Sequence, residues 1–355
     1  MGVLPVPHGM EDLRPQWLTA ALADVAGGAA VIEVTCERVG NGMVADSVRL
    51  GLRWDGPTAA PVSVIAKVPA AAADSRSAAA ATRTYELEAA FYQHLAGTVD
   101  VHRPVCFLSL FDPGSGDYVV LLEDLAPADP GDQLTGCGVD DAAAVLPELA
   151  ALHAPRWGDP TLLDLGWLPR PGPEGARGTA ELVALVFPGF VDRYQDQVDA
   201  DVLRLAEGFV PRIETYLLDR EEPWTVNHGD FRLDNLLFGG ARVAVLDWQT
   251  VRAGPALSDV AYFVGSALAP EDRRAYEADL LRAYHGALAA RGVQLGWDRC
   301  WAGYRYFGFD GLLMGIVASM LVARTDRGDQ MFLAMVNRHG RQLLDLESAA
   351  LLATR

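Results

Sequence analysis

The sequence is short of cysteine, short of positive charge and without a long apolar run, and each shortage narrows what the protein can be. Its four cysteines, Cys36, Cys106, Cys137 and Cys300, are scattered with no C-x-x-C pair. That fits reduced thiols in a cytoplasm better than a disulfide framework or a zinc site. The net charge of −18 argues against a general nucleic-acid binder, which needs Lys and Arg to neutralise phosphates. It also argues against anchoring to an anionic membrane surface. The most apolar stretch, 311–323, is too short to cross a bilayer and reads as a buried helix. The opening MGVLPVPHGMEDLRPQW lacks the basic segment and apolar run of a signal peptide, so a cytoplasmic location is expected. What the chain does have is a composition that is 50% hydrophobic and 21% charged, enough apolar material for a substantial core.

Local patterning predicts an α+β protein. An amphipathic helix is expected over 11–26, then strands over 31–39, 47–54 and 61–68, a helix over 83–95, and strands over 105–111 and 118–123. After Leu125 the stretch APADPGDQLTGCGVD, rich in Pro, Gly and Asp, marks a boundary. Beyond it helices are expected over 139–153, 179–195, 199–219, 271–291, 297–323 and 328–352, interrupted by a hairpin at 236–246. Strands first and helices later imply a sheet-rich N-terminal lobe, 1–125, and a helical C-terminal lobe, 126–355, with a ligand cleft between them.

The chemistry concentrates in VNHGDFRLDNLLFGGARVAVLDWQ, residues 226–249. It holds Asp230, Asn235 on the same loop, and Asp247 after an apolar strand. Phosphoryl transfer asks a protein for a carboxylate to orient the attacking hydroxyl and for hard oxygen ligands to magnesium. These residues provide both. Asp234 reads as a solvated loop or capping carboxylate. A second reading makes His228, Asp230 and Asp247 ligands of a hydrolytic metal site. Upstream, Gly40 and Gly42 lie between two expected strands, where missing side chains would let backbone N–H groups approach phosphate oxygens. Ser47 could add a hydroxyl donor. Lys67 interrupts the apolar run Val-Ile-Ala-Lys-Val, and a lysine so placed is costly unless it is paired.

The pattern H-G-D-x-x-x-x-N followed by L-D-W resembles the catalytic core of the aminoglycoside phosphotransferase and choline kinase-like family, relatives of protein kinases. The resemblance implies a protein-kinase-like fold with Asp230 as catalytic base and with Asn235 and Asp247 as magnesium ligands. Arg232 would lie near the transferred phosphate, and His228 would brace the loop. Residues 40–47 would cover the nucleotide phosphates, Lys67 would contact them, and a helix glutamate would pair with Lys67. Glu88 matches the family pattern and Glu86 competes with it. The two are about 200° apart on a helix, so one alone can face the lysine. The strand that ends in Glu123 and Leu125 would present backbone groups to the nucleobase. His153 and Asp259 match family positions that are more often packed or hydrogen-bonding than catalytic.

The chain departs from the pattern at Gln249, where many members carry an acidic residue, and in reading F-R-L-D after HGD. Gln249 weakens the idea of a second acidic metal ligand, while the F-R-L-D form and the glycine loop with Met43 and Asp46 bring the chain nearer the ecdysteroid-kinase-like and uncharacterised members than the antibiotic-modifying ones. The expected function is transfer of a phosphate from ATP or GTP, with magnesium, to a hydroxyl of a small molecule. The alternative is a nucleotide-binding pseudokinase without transfer activity. Acceptor recognition is expected from the PRPGPEGARG loop and the aromatic 297–309 segment. The acidic balance would suit a cationic acceptor, with Asp192, Asp196 or Asp310 receiving an amine.

Overall fold

The computed structural model describes residues 4–40, 44–220, 223–322 and 324–353. They form two compact units. One comprises the chain up to Thr98 together with Arg103–Ala128 and Leu246–Thr250; the other comprises Val99–His102, Asp129–Val245 and the chain from Val251 onward.

In the first unit, β1 (Val31–Arg38), β2 (Ala45–Trp54), β3 (Ser63–Pro69), β4 (Cys106–Phe111) and β5 (Tyr118–Glu123) make a 5-stranded sheet in the order β1-β2-β3-β5-β4. Every pairing is antiparallel. Because side chains alternate along a strand, Val48, Leu50 and Leu52 of β2 and Val64, Ala66 and Val68 of β3 share one face. That face packs on Leu18 and Leu22 of the N-terminal helices α1 (Pro15–Ala21) and α2 (Ala23–Ala26) and their junction. The same alternation turns Ser47 and Lys67, which are register partners, to the other face. Two further helices, α3 (Ala73–Thr82) and α4 (Thr84–Ala90), follow β3. Sequence patterning had no helix for the Ala-rich segment that forms α3. Its weak amphipathicity leaves no periodic signal, although alanine is the best helix former. The helix expected over 83–95 starts at α4 and ends in a π-helical turn, Phe91–Leu95.

The second unit is mainly helical: α5 (Val139–His153), α6 (Pro173–Tyr194), α7 (Ala200–Phe209), α8 (Ile213–Leu218), α9 (Leu257–Ala267), α10 (Pro270–Ala290), α11 (Trp297–Leu321), α12 (Asp326–Asp345) and α13 (Ala349–Ala353). The single helix expected over 199–219 is broken by a 3-10 turn at Val210–Arg212, where Pro211 has no N–H to continue the ladder. Short strands place the loops that matter. β6 (Asp129–Pro130), β8 (Leu236–Phe238) and β9 (Ala244–Val245) form one small sheet. The other pairs β7 (Trp224–Asn227) with β10 (Arg252–Pro255). Neither β6, β7 nor β10 was expected from the sequence, since strands this short carry no readable alternation.

Every residue of α9 is buried, as expected of a helix surrounded by protein. It packs against α11 and α12, which approach each other closely through Gly311: a Cβ there would lie 2.1 Å from the His339 ring. Thr325 caps α12, its hydroxyl accepting from the Gly328 N–H at 3.0 Å. Replacing that acceptor leaves a first-turn donor without its partner. Thr325→Ala should therefore lower stability by about 1 kcal/mol, read as a shift in the urea midpoint at constant slope. Among the described residues, no helix is long and apolar enough to cross a membrane.

Candidate active site

The first cluster forms within the sheet-containing unit. Lys67, on the face of β3 away from α1, is the chain's single lysine among 29 basic residues. Its ammonium donates to Glu88 Oε1 at 2.6 Å and to Asp247 Oδ1 at 2.8 Å. Burial alone would push the Lys67 pKa down, but the charges of Asp247 and Glu88 and their hydrogen bonds more than offset it. The net shift is upward, so the group stays an ammonium. Glu86 is elsewhere, in a surface pair with Arg83 at 2.7 Å, so Glu88 is the partner of Lys67. The lysine's uniqueness is a composition signal that motif reading passed over. In a chain that otherwise uses arginine throughout, one partly buried lysine marks a site where a compact ammonium is wanted.

The segment carrying Asp247 is held by its neighbour. Trp248 is fully buried and stacks on Phe91, one turn beyond Glu88, with ring centroids 3.8 Å apart and planes 7° from parallel. The element that delivers Glu88 thus also anchors Asp247. Asp247 itself has φ +67°, a left-handed conformation that costs a non-glycine residue roughly 1–2 kcal/mol. Such strain persists where surrounding contacts over-determine it, and it concentrates at functional sites. The amide of Gln249 donates to Asp247 Oδ2 at 2.8 Å, so the residue that departs from the family pattern orients the carboxylate instead of adding a second one.

Other expected nucleotide residues belong to the same unit. Ser47 is half-buried opposite Lys67, and Gly40 has φ +73°, a conformation suited to glycine. Gly42 lies outside the described residues. The Glu123 N–H is bonded to Val105 O at 2.8 Å, while the Leu125 N–H makes no hydrogen bond among the described residues.

The second cluster forms within the helical unit, around the turn after β7. Asp259 of α9 accepts from the backbone N–H groups of His228 at 2.7 Å and Gly229 at 3.0 Å, and also meets His153 Nε2 at 3.3 Å. This buried carboxylate clamps the loop backbone from below. Burial pushes its pKa up, yet the hydrogen bond and charge of His153 bring it below the ordinary aspartate value. His228 is buried, and its Nδ1 accepts the Asp230 N–H at 3.2 Å, which makes it a brace of the loop and a poor metal ligand.

Asp230 is thereby presented with both oxygens engaged. Tyr262 donates to Oδ1 at 2.7 Å; Arg232 Nε and Asn235 Nδ2 donate to Oδ2 at 2.9 and 3.1 Å. Burial raises its pKa, but the Arg232 charge and the Tyr262 and Arg232 hydrogen bonds prevail, so the carboxylate is held below its ordinary range. Arg232 also pairs with Asp234, which further accepts the Gln133 N–H at 2.9 Å. Arg232 is therefore committed to two carboxylates, and Asp234 is a structural partner, not a solvated cap. Tyr262 was missed by sequence reading. The available signal was its spacing: three residues after Asp259 on one helix, it lies on the same face. Asn235 turns its amide nitrogen to Asp230, while its side-chain oxygen accepts no hydrogen bond among the described residues.

Residues 63–299 match the sequence profile of the phosphotransferase enzyme family. The chain belongs to that family. As in other proteins with the protein-kinase-like fold, the sheet-rich part of this phosphotransferase precedes the helical part. Choline kinase of Cryptosporidium parvum Iowa II superposes with a TM-score of 0.60 at 10% identity, covering 90% of this chain and 92% of that one. An ethanolamine kinase of Plasmodium vivax gives 0.54 at 10% identity, covering 86% and 81%. A candidate aminoglycoside phosphotransferase of Ralstonia eutropha JMP134 gives 0.51 at 17% identity, covering 92% and 97%. One stretch of 48 residues is 48% identical to acyl-CoA dehydrogenase family member 10 of Mus musculus. It amounts to 13% of this phosphotransferase and 4% of that protein, so the chain spans a small fraction of that relative's length.

The acceptor segments fare unequally. The PRPGPEGARG segment, which the structure makes a short loop running into the first turns of α6, lines a cavity of ≈ 340 Å³ within the helical unit, next to Gly229 and Tyr262. The aromatic 297–309 segment does not; Tyr304 and Phe309 are fully buried core. Asp310 is also not a solvated acid open to an amine. Arg220 binds both of its oxygens, and the Tyr216 and Ser258 hydroxyls complete the set.

Proposed function

We propose that this phosphotransferase moves the γ-phosphoryl group of ATP or GTP to a hydroxyl of a small molecule. The observation that carries the reading is the partly buried Lys67, flanked by Glu88 and Asp247, in a family defined by phosphoryl transfer. An ammonium kept charged by two carboxylates can meet phosphate oxygens without losing its position. Residues 40–47 and the backbone at Glu123 and Leu125 are the proposed contacts for phosphates and nucleobase. The cavity beside Gly229 has the size of a small-molecule site.

Asp247 and Asn235 are the proposed magnesium ligands. Each oxygen of Asp247 accepts one hydrogen bond and keeps lone pairs, and the Asn235 oxygen faces away from the donors, so hard oxygen ligation fits both. Bound magnesium would supply charge neutralisation at the phosphates. The chain's own residues do the rest. Asp230 orients the acceptor hydroxyl; the hydroxyl oxygen forms a bond to the γ-phosphorus as the bond from that phosphorus to the departing nucleoside diphosphate breaks. The hydroxyl proton passes to Asp230 and then to water. A carboxylate with a depressed pKa is a weak base, so orientation and late proton acceptance are its contribution. Arg232 and Tyr262 keep it ionised and aimed.

Because Lys67 is the only side-chain amine, acylation of that amine in the intact chain reports on one position. Magnesium–ATP or magnesium–GTP should slow its acylation, read by peptide mass spectrometry; equal rates with and without nucleotide would remove the lysine from the site. Glu88→Gln should weaken nucleotide binding by about tenfold, through loss of a charge-assisted partner. Glu86→Gln should leave it unchanged. Titration of each variant with a fluorescent nucleotide separates the two.

A further inference from the structure

The cavity beside Gly229 carries an electrostatic signature at odds with the cationic acceptor that overall charge suggests. Three arginines border it, Arg170, Arg220 and Arg252, against one carboxylate among the described residues, Asp310. Asp310 has no capacity left. Its oxygens receive both Arg220 terminal nitrogens, the Tyr216 hydroxyl at 2.9 Å and the Ser258 hydroxyl, which fills the roughly four acceptor positions of a carboxylate. Arg220 and Asp310 thus form a neutral, buried pair, 6% and 8% exposed at the side chain.

The two remaining guanidinium groups are not neutralised in this way. Arg252 is 31% exposed, lies 3.9 Å from Asp310, and directs a terminal nitrogen to the Ser258 hydroxyl at 3.1 Å. Arg170 is exposed and donates to the Leu163 carbonyl at 2.7 Å, with no carboxylate within ion-pair distance among the described residues. Each guanidinium has five N–H donors, so both keep several for a ligand. A wall of Leu313, Met314 and Val317 completes the space, and Tyr262, at its border, donates to the Asp230 carboxylate. The arrangement is amphipathic: apolar along α11, cationic at Arg252 and Arg170, and bordered by residues adjoining Asp230.

We propose that the acceptor is a hydroxyl compound with an apolar body and an anionic group, a carboxylate or a phosphate, bound by Arg252 and Arg170. Planar guanidinium groups match both anions in bidentate geometry. An amine in the same cavity would meet like charge with no free carboxylate to offset it, so the site selects against cations as well as for anions. The inference rests on the phosphotransferase reading for its hydroxyl, and its binding test is independent of nucleotide.

The test is calorimetric titration of the full chain with three matched series of increasing chain length: ω-hydroxycarboxylates, alkanediol monophosphates and amino alcohols. Binding of either anionic series but not the amino alcohols is the expected result, and comparison of the first two identifies the anion. Arg252→Gln should weaken that binding about tenfold, Arg252→Lys less, and Arg170→Gln should give an independent loss at an exposed position where folding is not at stake. With a turnover assay on the best binder, Arg252→Gln should raise KM while leaving kcat within a few-fold. Tighter binding of amino alcohols, no binding of any anion, or unchanged anion affinity in both glutamine variants would overturn the proposal. Protection of Lys67 by nucleotide, measured in parallel, belongs to the other unit. Its loss would strike at the phosphotransferase reading, and its persistence alongside failed anion binding would strike at this one alone.

Discussion

Asp230→Asn is expected to lower kcat by about 10²–10⁴-fold while nucleotide affinity changes little. The substitution keeps size and planarity, so Tyr262 and the backbone of the clamped loop hold the side chain nearly in place. What it removes is the negative charge that orients a hydroxyl and takes its proton. Nucleotide affinity should survive because the proposed phosphate contact, Lys67, belongs to a different cluster. Steady-state turnover combined with fluorescent-nucleotide titration checks both halves; a near-normal rate would end the assignment of Asp230 as base. The pH dependence has a definite sign. Because the Arg232 and Tyr262 contacts hold the Asp230 pKa below its ordinary value, the carboxylate is already ionised across the usual aspartate range. The acid limb of activity should therefore fall below that range. Removing Arg232 by Arg232→Gln should move the limb upward.

Asp310→Ala is expected to destabilise the protein by about 3–5 kcal/mol, among the largest single effects available in the helical unit. The reason is the partner left behind: Arg220 would remain buried and charged, without its bidentate acceptor. Replacing both together, Asp310→Leu with Arg220→Met, should cost much less, because no uncompensated charge remains. Urea unfolding of the single and double variants distinguishes a buried-charge penalty from simple loss of packing. The pair also predicts acid behaviour. Burial raises the Asp310 pKa, but Arg220, Arg252 and Ser258 together bring it from 3.8 down to about 2. A carboxylate with a depressed folded pKa contributes stability above its unfolded pKa and loses it as pH falls through the folded value. The wild type should thus lose roughly 2 kcal/mol from this group between pH 4 and pH 2, by the linkage of about 1.4 kcal/mol per pKa unit. Asp310→Asn should lack that component.

Much of the site was legible in the sequence because its information is local. The strand Tyr118–Glu123 and the helix Val139–His153 fall where periodicity places them. Alternation along β3 was enough to make Lys67 conspicuous as a charge in an apolar run. The HGD loop, Asn235 and Asp247 announce themselves by residue type and spacing. Short elements were less readable, since β7 and β10 are 4 residues each and acquire their conformation by pairing with each other.

By itself, then, the sequence determined the fold class, the family, and the identity of the oxygen and ammonium groups proposed for phosphoryl transfer. These follow from patterns a few residues long, which fix strand faces, helix faces and motif spacing. Only the tertiary structure decided which partners those groups have. It paired Lys67 with Glu88 and not Glu86, brought Asp247 to it across 180 residues, and set Tyr262 against Asp230 and Asp259 beneath the loop. It also withdrew Asp310 from solvent into a neutral pair and left Arg252 facing a cavity. Charge–charge partnership and desolvation depend on distances between residues far apart in the chain, and no local pattern encodes them.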